Sequence, residues 1–279
     1  MKTTLTTVLL GATMTALQAQ DLPKPSPLGH VEQIVGLTKV SVDYSRPSQR
    51  GRKVFGELVP FDEIWRTGAN QCTRISFDGP VQFGGKDVPA GTFALFTVPG
   101  TKEWTFILNK NTELWGASDH KQEEDILRVA VEAGGCDRTE TFTIDLADVT
   151  DDGAMLQLRW ENTCVGVPIK ADATERGMAN IREALSKPDA DYRAYNSSAT
   201  FYLDRGMSAE QALEWAQKSV SLEKKYWNLH TLARAQAASN MTKEAVKTAE
   251  ESMALAQEAG EAGYVKKNKD AIEQWSMKH

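Results

Sequence analysis

The chain has 279 residues and a formal net charge of −6 at pH 7. This length allows two domains with separate cores, because single hydrophobic cores stop growing near this size. The acidic balance provides no overall field that would attract DNA, RNA or an anionic lipid surface, so we predict no nucleic-acid partner.

The first 19 residues have the three parts of a secretory signal peptide. Lys2 is the charged start, residues 5–17 form an apolar centre, and Ala19 precedes the polar sequence QDLPKP. The centre is too short to span a bilayer, and no later segment has the roughly 20 apolar residues of a membrane helix. We therefore predict a periplasmic or secreted protein without a transmembrane segment or a lipidation cysteine. Residues 20–29 are predicted to be a linker.

Residues 30–169 alternate apolar and polar side chains in short runs separated by turn sequences such as FGGKD and TDDG. This period of two indicates strands with one buried face, and many short strands favour a sandwich or a barrel. We predict an antiparallel β-sandwich of jelly-roll or Greek-key type. Its predicted inward residues are Val40, Val42, Tyr44, Ile75, Phe77, Trp104, Phe106, Leu108, Leu127, Val129, Val131, Phe142, Ile144, Leu146, Leu156, Leu158 and Trp160.

A long segment, SRPSQRGRKVFGELVPFDEIWRTGAN, interrupts the strands between residues 45 and 70. Long irregular loops in compact domains are often functional or mobile. The candidate ligand-binding residues are Arg46, Arg52, Trp65, Arg66 and Asn70. The arginines would pair with an anion, the tryptophan would stack on a sugar ring, and the asparagine would add a hydrogen bond. The alternatives are a solvated charge run, a core tryptophan and an asparagine that bonds its own turn.

The three cysteines, Cys72, Cys136 and Cys164, allow at most one disulfide within the chain. A Cys136–Cys164 pair and three unpaired buried thiols are equally compatible with the sequence.

Beyond residue 170 the apolar period becomes helical. The stretches SAEQALEWAQKSVSL and TKEAVKTAEESMALA repeat one arrangement in which Ala212 matches Ala245, and Gly206 and Asn240 occupy equivalent turns before them. The period is close to that of tetratricopeptide repeats. We predict an all-α, tetratricopeptide-like domain over residues 170–279, with flanking helices around 172–187 and 261–277.

No catalytic, metal-binding or cofactor-binding motif is evident. The four histidines are scattered, and no G-x-S-x-G sequence is present. We therefore predict neither a metal nor a cofactor. The sequence favours a non-catalytic protein and leaves an enzymatic activity open.

The sequences LTKVSVDYSRPSQRGRKVFGELVPFDEIWRTGAN, VPAGTFALFTVPGTKEWTFILNK and LRWENTCVGVPI resemble an uncharacterised secreted bacterial family, DUF2911, over about residues 28–168. The helical tail resembles that of many members. The resemblance implies the two-part architecture and implies no substrate, cofactor or catalytic residue.

Three functions are consistent with these features. The first is an exported, non-catalytic envelope protein that binds a small anionic or carbohydrate ligand and docks a protein partner on its helices. The second is a hydrolase of an envelope polymer, with acid or base among Asp43, Asp62, Glu63 and Glu161. The third is a purely structural protein, in which Trp65 and Arg66 are buried and Arg66 pairs with a carboxylate.

Overall fold

The computed structural model of the protein describes residues 22–277, so the predicted signal peptide lies outside the described residues. Nine strands are followed by six helices in this part of the chain. The strands are β1 (Leu28–Val35), β2 (Thr38–Ser45), β3 (Thr73–Phe77), β4 (Val81–Phe83), β5 (Lys86–Val88), β6 (Gly91–Val98), β7 (Glu103–Asn109), β8 (Asp125–Ala147) and β9 (Gly153–Lys170). The helices are α1 (Thr174–Ser186), α2 (Tyr192–Asp204), α3 (Ala209–Leu222), α4 (Tyr226–Ala238), α5 (Thr242–Glu258) and α6 (Ala262–Ser276).

The strands form one open antiparallel sheet in the order β1-β2-β3-β6-β7-β8-β9-β4-β5. Strand β8 is long enough to join two parts of this sheet, because its first residues pair with β7 and its later residues pair with β9. Strand β4 follows β3 in the chain but pairs with β9, through Gln82 with Lys170 and Phe83 with Ile169. An antiparallel β domain is thereby confirmed, whereas a jelly-roll or Greek-key sandwich stays a prediction.

A single main core fills the interior of the sheet domain. All but one of the inward residues predicted from the alternating pattern are buried in it, and the exception, Val131, packs against it while partly exposed. The sheet is curved, since β2 and β8 are not neighbours in the strand order and yet touch. The buried Tyr44 hydroxyl donates to the Ile144 carbonyl over 3.1 Å and accepts from the Ile144 N–H over 3.0 Å.

The strand domain begins slightly earlier than the pattern indicated. Strand β1 starts at Leu28, inside the predicted linker 20–29, because Leu28 pairs with Ser45 in the β1–β2 hairpin. At the other end, the last strand stops at Lys170 and the first helix begins at Thr174.

The helical part contains two similar helical hairpins, α2–α3 and α4–α5. The turns within them use Gly206 and Asn240, each at φ 61°, a left-handed conformation that glycine and asparagine tolerate best. The aligned small residues of α3 and α5 are fully buried, which lets the helices approach closely: Ala212, Ala216, Ser219, Ala245, Ala249 and Ser252. Helices α1 and α6 flank the pair. The internal alignment is therefore visible in the structure, and the tetratricopeptide identity stays a prediction.

Ion pairs link the two parts of the chain: Arg176 of α1 lies 3.5 Å from Asp78, and a shorter pair joins Arg205 to Asp152. Arg205, which follows α2, donates to both carboxylate oxygens of Asp152 over 2.7 Å, and Asp152 lies in the turn before β9. The side chains are 19% and 25% exposed, so solvent screens this pair less than a surface ion pair. The hydrogen bonds from Arg205 lower the pKa of the Asp152 carboxyl. This contact fixes α2 against the sheet domain.

Replacing Asp152 with asparagine should lower the free energy of unfolding by about 2 kcal/mol near neutral pH, because charge-assisted hydrogen bonds to Arg205 are lost. The folded pKa of Asp152 is lowered, so this stabilisation is complete above the unfolded pKa of about 4 and disappears as pH falls through the folded pKa. Guanidinium unfolding at neutral pH and near pH 3 measures the difference, which should shrink in acid. Asp119→Asn, at an exposed carboxylate, is the control. A difference that does not change with pH would contradict this role.

Cys136 and Cys164 form a disulfide between β8 and β9, with Cα atoms 5.7 Å apart. Cys72 is free and buried, and burial raises the pKa of its thiol. Of the two alternatives compatible with the sequence, the structure has the disulfide. A disulfide indicates an oxidising, extracytoplasmic location. Among residues 22–277, the helices are all too short or too polar to cross a membrane.

Candidate functional site

Arg46 is held against strand β8. Its Nε donates to the Phe142 carbonyl over 3.2 Å, and its Nη2 donates to the Thr143 hydroxyl over 2.9 Å. Both contacts cross from the end of β2 to a strand that is distant in the sequence. The guanidinium of this candidate residue therefore bridges β2 and β8 in the structure.

Arg52 and Glu161 organise the next part of the segment. Arg52 donates through Nε to the Gln49 carbonyl over 3.0 Å and through Nη2 to the Ser48 carbonyl over 2.8 Å. Glu161, on β9, accepts from the Gln49 side chain over 3.2 Å and from the Val54 N–H over 3.3 Å. These bonds satisfy backbone groups of an irregular loop, which would otherwise need water or secondary-structure partners.

Trp65 lies in the core, which is the alternative that the sequence left open for it. Its side chain packs in a cluster of rings and is only 8% exposed, while its indole N–H donates to the Gly68 carbonyl over 3.0 Å. The rings around it are Phe55, Trp104, Phe142 and Trp160. A sugar ring has no access to a face of this tryptophan.

The turn WRTGAN is tightly built. Gly68 has φ 154°, and a Cβ at this position would lie 2.9 Å from the Ser45 carbonyl oxygen, so a larger residue does not fit. Asn70 has φ 60°, and its side-chain amide donates to the Ser26 carbonyl over 3.2 Å and to the Ser45 hydroxyl over 3.1 Å. Asn70 thus ties the turn to β2 and to the chain before β1.

Arg66 differs from the other candidates because it contacts the backbone of a loop that carries an exposed aromatic residue. Its Nη1 donates to the Asn70 carbonyl over 2.9 Å and lies 3.5 Å from the Trp115 carbonyl oxygen. Its guanidinium has no carboxylate within 4.0 Å among the described residues, so the structural alternative in which it pairs with Asp43 or Glu161 is not observed. Trp115 is 72% exposed.

The loop that carries Trp115, residues 110–121, is anchored on both sides. Leu114 is buried in a small second core on the outer face of the sheet, and its carbonyl accepts from the Cys72 N–H over 2.9 Å. His120 is 2.7 Å from Asp125, and both side chains are only 6% exposed. These anchors hold Trp115 in place although its own side chain projects into solvent.

Sequence reasoning missed this surface. The only local signal was an isolated apolar pair, Leu114–Trp115, in the polar stretch NTELWGASD. The alternation of apolar and polar residues in strands cannot predict the burial of this pair, because the pair lies in a loop. Its proximity to Arg66 depends on the packing of two loops that are far apart in the chain.

The carboxylates considered for a hydrolase lie in different places. Asp43 is 2.8 Å from His30 on the β1–β2 hairpin, and Asp62 and Glu63 are exposed on the loop before Trp65. Glu161 braces the loop as described. No hydrogen bond joins any two of these four among residues 22–277, and within the same residues no group of three or more histidine, cysteine or acidic side chains is arranged to hold a metal ion.

A second concave surface lies on the helical part. A cleft of about 820 Å³ runs along α4 and α6 and reaches the end of α2. Its walls combine polar and charged side chains with small alanines and an indole ring, and they include His230, Arg234, Ala237, Lys267, Asp270 and Trp275. This volume lies in the range of sites that hold small molecules.

Comparison with known proteins identifies one family. The profile of a protein of unknown function, DUF2911, matches residues 26–169, which is just over half of the chain. No curated protein and no solved structure shows significant similarity to the chain. The matched residues cover the first eight strands, all of β9 except its last residue, and both Arg66 and Trp115. The chain therefore belongs to the family DUF2911, whose members are proteins of unknown function.

Proposed function

We propose that this protein is an exported, non-catalytic envelope protein that binds an anionic saccharide on its sheet domain and docks a protein partner on its helices. The observation that carries the ligand half is the exposed side chain of Trp115, on a loop whose backbone contacts the partly exposed Arg66. The disulfide supports export, and the concave cleft on the helices supports the docking role.

The chemistry of the two side chains suits a sugar that carries a negative charge. An indole face packs against the C–H groups of a sugar ring, and its exposure in the free protein leaves that face ready for contact. In Arg66 the nitrogen Nη1 makes both internal contacts. The N–H groups on Nε and Nη2 have no hydrogen-bond partner among the described residues, so they are available to a carboxylate, sulfate or phosphate on the sugar.

The other candidate residues have supporting roles in this proposal. Arg46, Arg52 and Asn70 hold the loop, and Trp65 fills the core beneath it, so they fix the position of Arg66 instead of contacting the ligand. The curved sheet is consistent with a β-sandwich, and the paired helical hairpins are consistent with a tetratricopeptide-like array. Both finer assignments form part of this proposal.

The test is binding of the mature protein to an array of neutral and anionic saccharides, followed by titration of the strongest binders. We expect anionic sugars to be selected, Trp115→Ala to weaken binding at least about tenfold, and Arg66→Lys to weaken it for the charged sugars only. Arg182→Ala, at an exposed arginine on α1, is the matched control. Binding that both site variants leave unchanged would refute the proposed surface.

The same mixtures of protein and saccharide distinguish this proposal from a hydrolase and from a purely structural protein. New reducing ends released from an envelope polysaccharide, and abolished by replacement of one of the four carboxylates, would favour the hydrolase. No bound saccharide at any concentration tested would favour the purely structural protein.

A further inference from the structure

The cleft between α4 and α6 contains a histidine with a fixed orientation. The Asn268 side chain is fully buried, and its Nδ2 donates to the Tyr264 carbonyl and to the Ser252 hydroxyl, each over 2.8 Å. A carbonyl oxygen can only accept, so the NH₂ group of Asn268 must face it and Oδ1 must face the other way. That oxygen lies 2.8 Å from Nδ1 of His230.

The proton of the neutral imidazole is therefore on Nδ1, and Nε2 carries the lone pair. Nε2 has no hydrogen-bond partner among residues 22–277, and His230 lines the cleft. Burial lowers the pKa of His230, and the positive charges of Arg234 and Lys267 act in the same direction. The cleft thus presents a hydrogen-bond acceptor at neutral pH.

Two opposite charges lie further along the same cleft. The Lys267 ammonium is over the Tyr264 ring, 4.9 Å from its centroid, whereas Asp270 follows three residues later on α6. Neither makes an ion pair within the described part of the chain, in contrast to Arg234, which is 2.6 Å from Asp204. Because Lys267 and Asp270 do not pair with each other, the ammonium and the carboxylate are both available to a ligand.

The spacing of these charges matches an extended peptide. Side chains three residues apart on a helix lie about 5–6 Å apart at Cβ, and side chains two residues apart on one face of an extended chain lie about 6.5–7 Å apart. Small side chains such as Ala237 leave room for a peptide backbone, and Trp275 offers an apolar wall. A peptide backbone also supplies the N–H groups that the acceptor on His230 needs.

We infer that this cleft binds an extended segment of a protein partner in which an acidic and a basic residue are separated by one residue. The acidic side chain pairs with Lys267, the basic side chain pairs with Asp270, and a backbone N–H donates to Nε2 of His230. This inference rests on the proposed docking role of the helices and names the class of segment they bind.

The experiment is a selection of random heptapeptides, displayed on phage, against the intact mature protein. We expect enrichment of acid-x-base or base-x-acid sequences and at least tenfold weaker binding of the selected peptides to Lys267→Glu and to His230→Phe. In a repeated selection, Lys267→Glu should enrich a second basic residue in place of the acidic one. Lys247→Glu, at an exposed lysine on α5, is the matched control, and thermal unfolding confirms that each variant is folded.

The outcomes separate the inference from the broader proposal. Peptides whose binding neither His230→Phe nor Lys267→Glu weakens would overturn the inference and leave a docking role elsewhere on the helices. Recovery of no binding peptide would overturn both the inference and the docking half of the proposed function, and the saccharide half would be unaffected.

Discussion

Replacing Trp65 with alanine should lower the free energy of unfolding by about 4 kcal/mol, because a large ring is removed from a packed core and leaves a cavity. Five aromatic side chains, including Trp65, pack in one cluster at this point, and the loss of one ring removes contacts from all the others. Its indole hydrogen bond to the Gly68 carbonyl is lost as well. Urea unfolding followed by circular dichroism measures the effect.

Trp115→Ala is the control for this experiment. The Trp115 side chain is 72% exposed, so its removal should change the free energy of unfolding by less than about 0.5 kcal/mol. The two tryptophans therefore separate stability from binding. Replacing Trp65 should change the free energy of unfolding, and replacing Trp115 should change saccharide binding. A small loss at Trp65, or a large loss at Trp115, would show that the two roles have been assigned in the wrong order.

Replacing both Cys136 and Cys164 with serine should lower the free energy of unfolding by about 3 kcal/mol. The bridge closes a loop with a sequence separation of 28 residues, and restricting the unfolded chain by that amount stabilises the fold by roughly 3–4 kcal/mol. Residual structure in the reduced, unfolded chain already limits its freedom, which places the expected loss at the lower end of this range. Guanidinium unfolding of the oxidised protein and of the variant gives the difference.

A reducing agent provides the matched comparison. Reduction should lower the stability of the wild-type protein by about the same amount and leave the double-serine variant unchanged. Cys72→Ala should keep the full response to the reducing agent, since Cys72 is not part of the bridge. A double-serine variant that still responds to reduction would contradict the assignment of the bridge.

The strand faces could be predicted from the sequence because burial imposes a period of two on residues in regular strands. Val42, Phe106 and Leu158 are buried in the main core, as the pattern indicates. The aligned helices were predictable for a related reason, since a repeated packing environment selects repeated small residues such as Ala212 and Ala245.

Arrangement in space was much less predictable. The sequence offers no sign that β4 leaves its neighbour β3 to pair with β9, because pairing between distant strands depends on the whole sheet. The candidate site was affected for the same reason. Trp65 and Trp115 are both loop tryptophans in the sequence, and only the packing of the loops places one in the core and the other beside Arg66.

The pairing of β4 with β9 sets the order in which this protein can fold. Gln82 meets Lys170 only after almost the entire sheet domain has been synthesised. Contacts so distant along the chain form slowly, because the entropy of closing a large loop precedes any stabilisation from the contact. We therefore expect the β4–β5 hairpin to remain an unpaired sheet edge until β9 pairs with β4. The pairing of β9 is then the step that completes the native sheet.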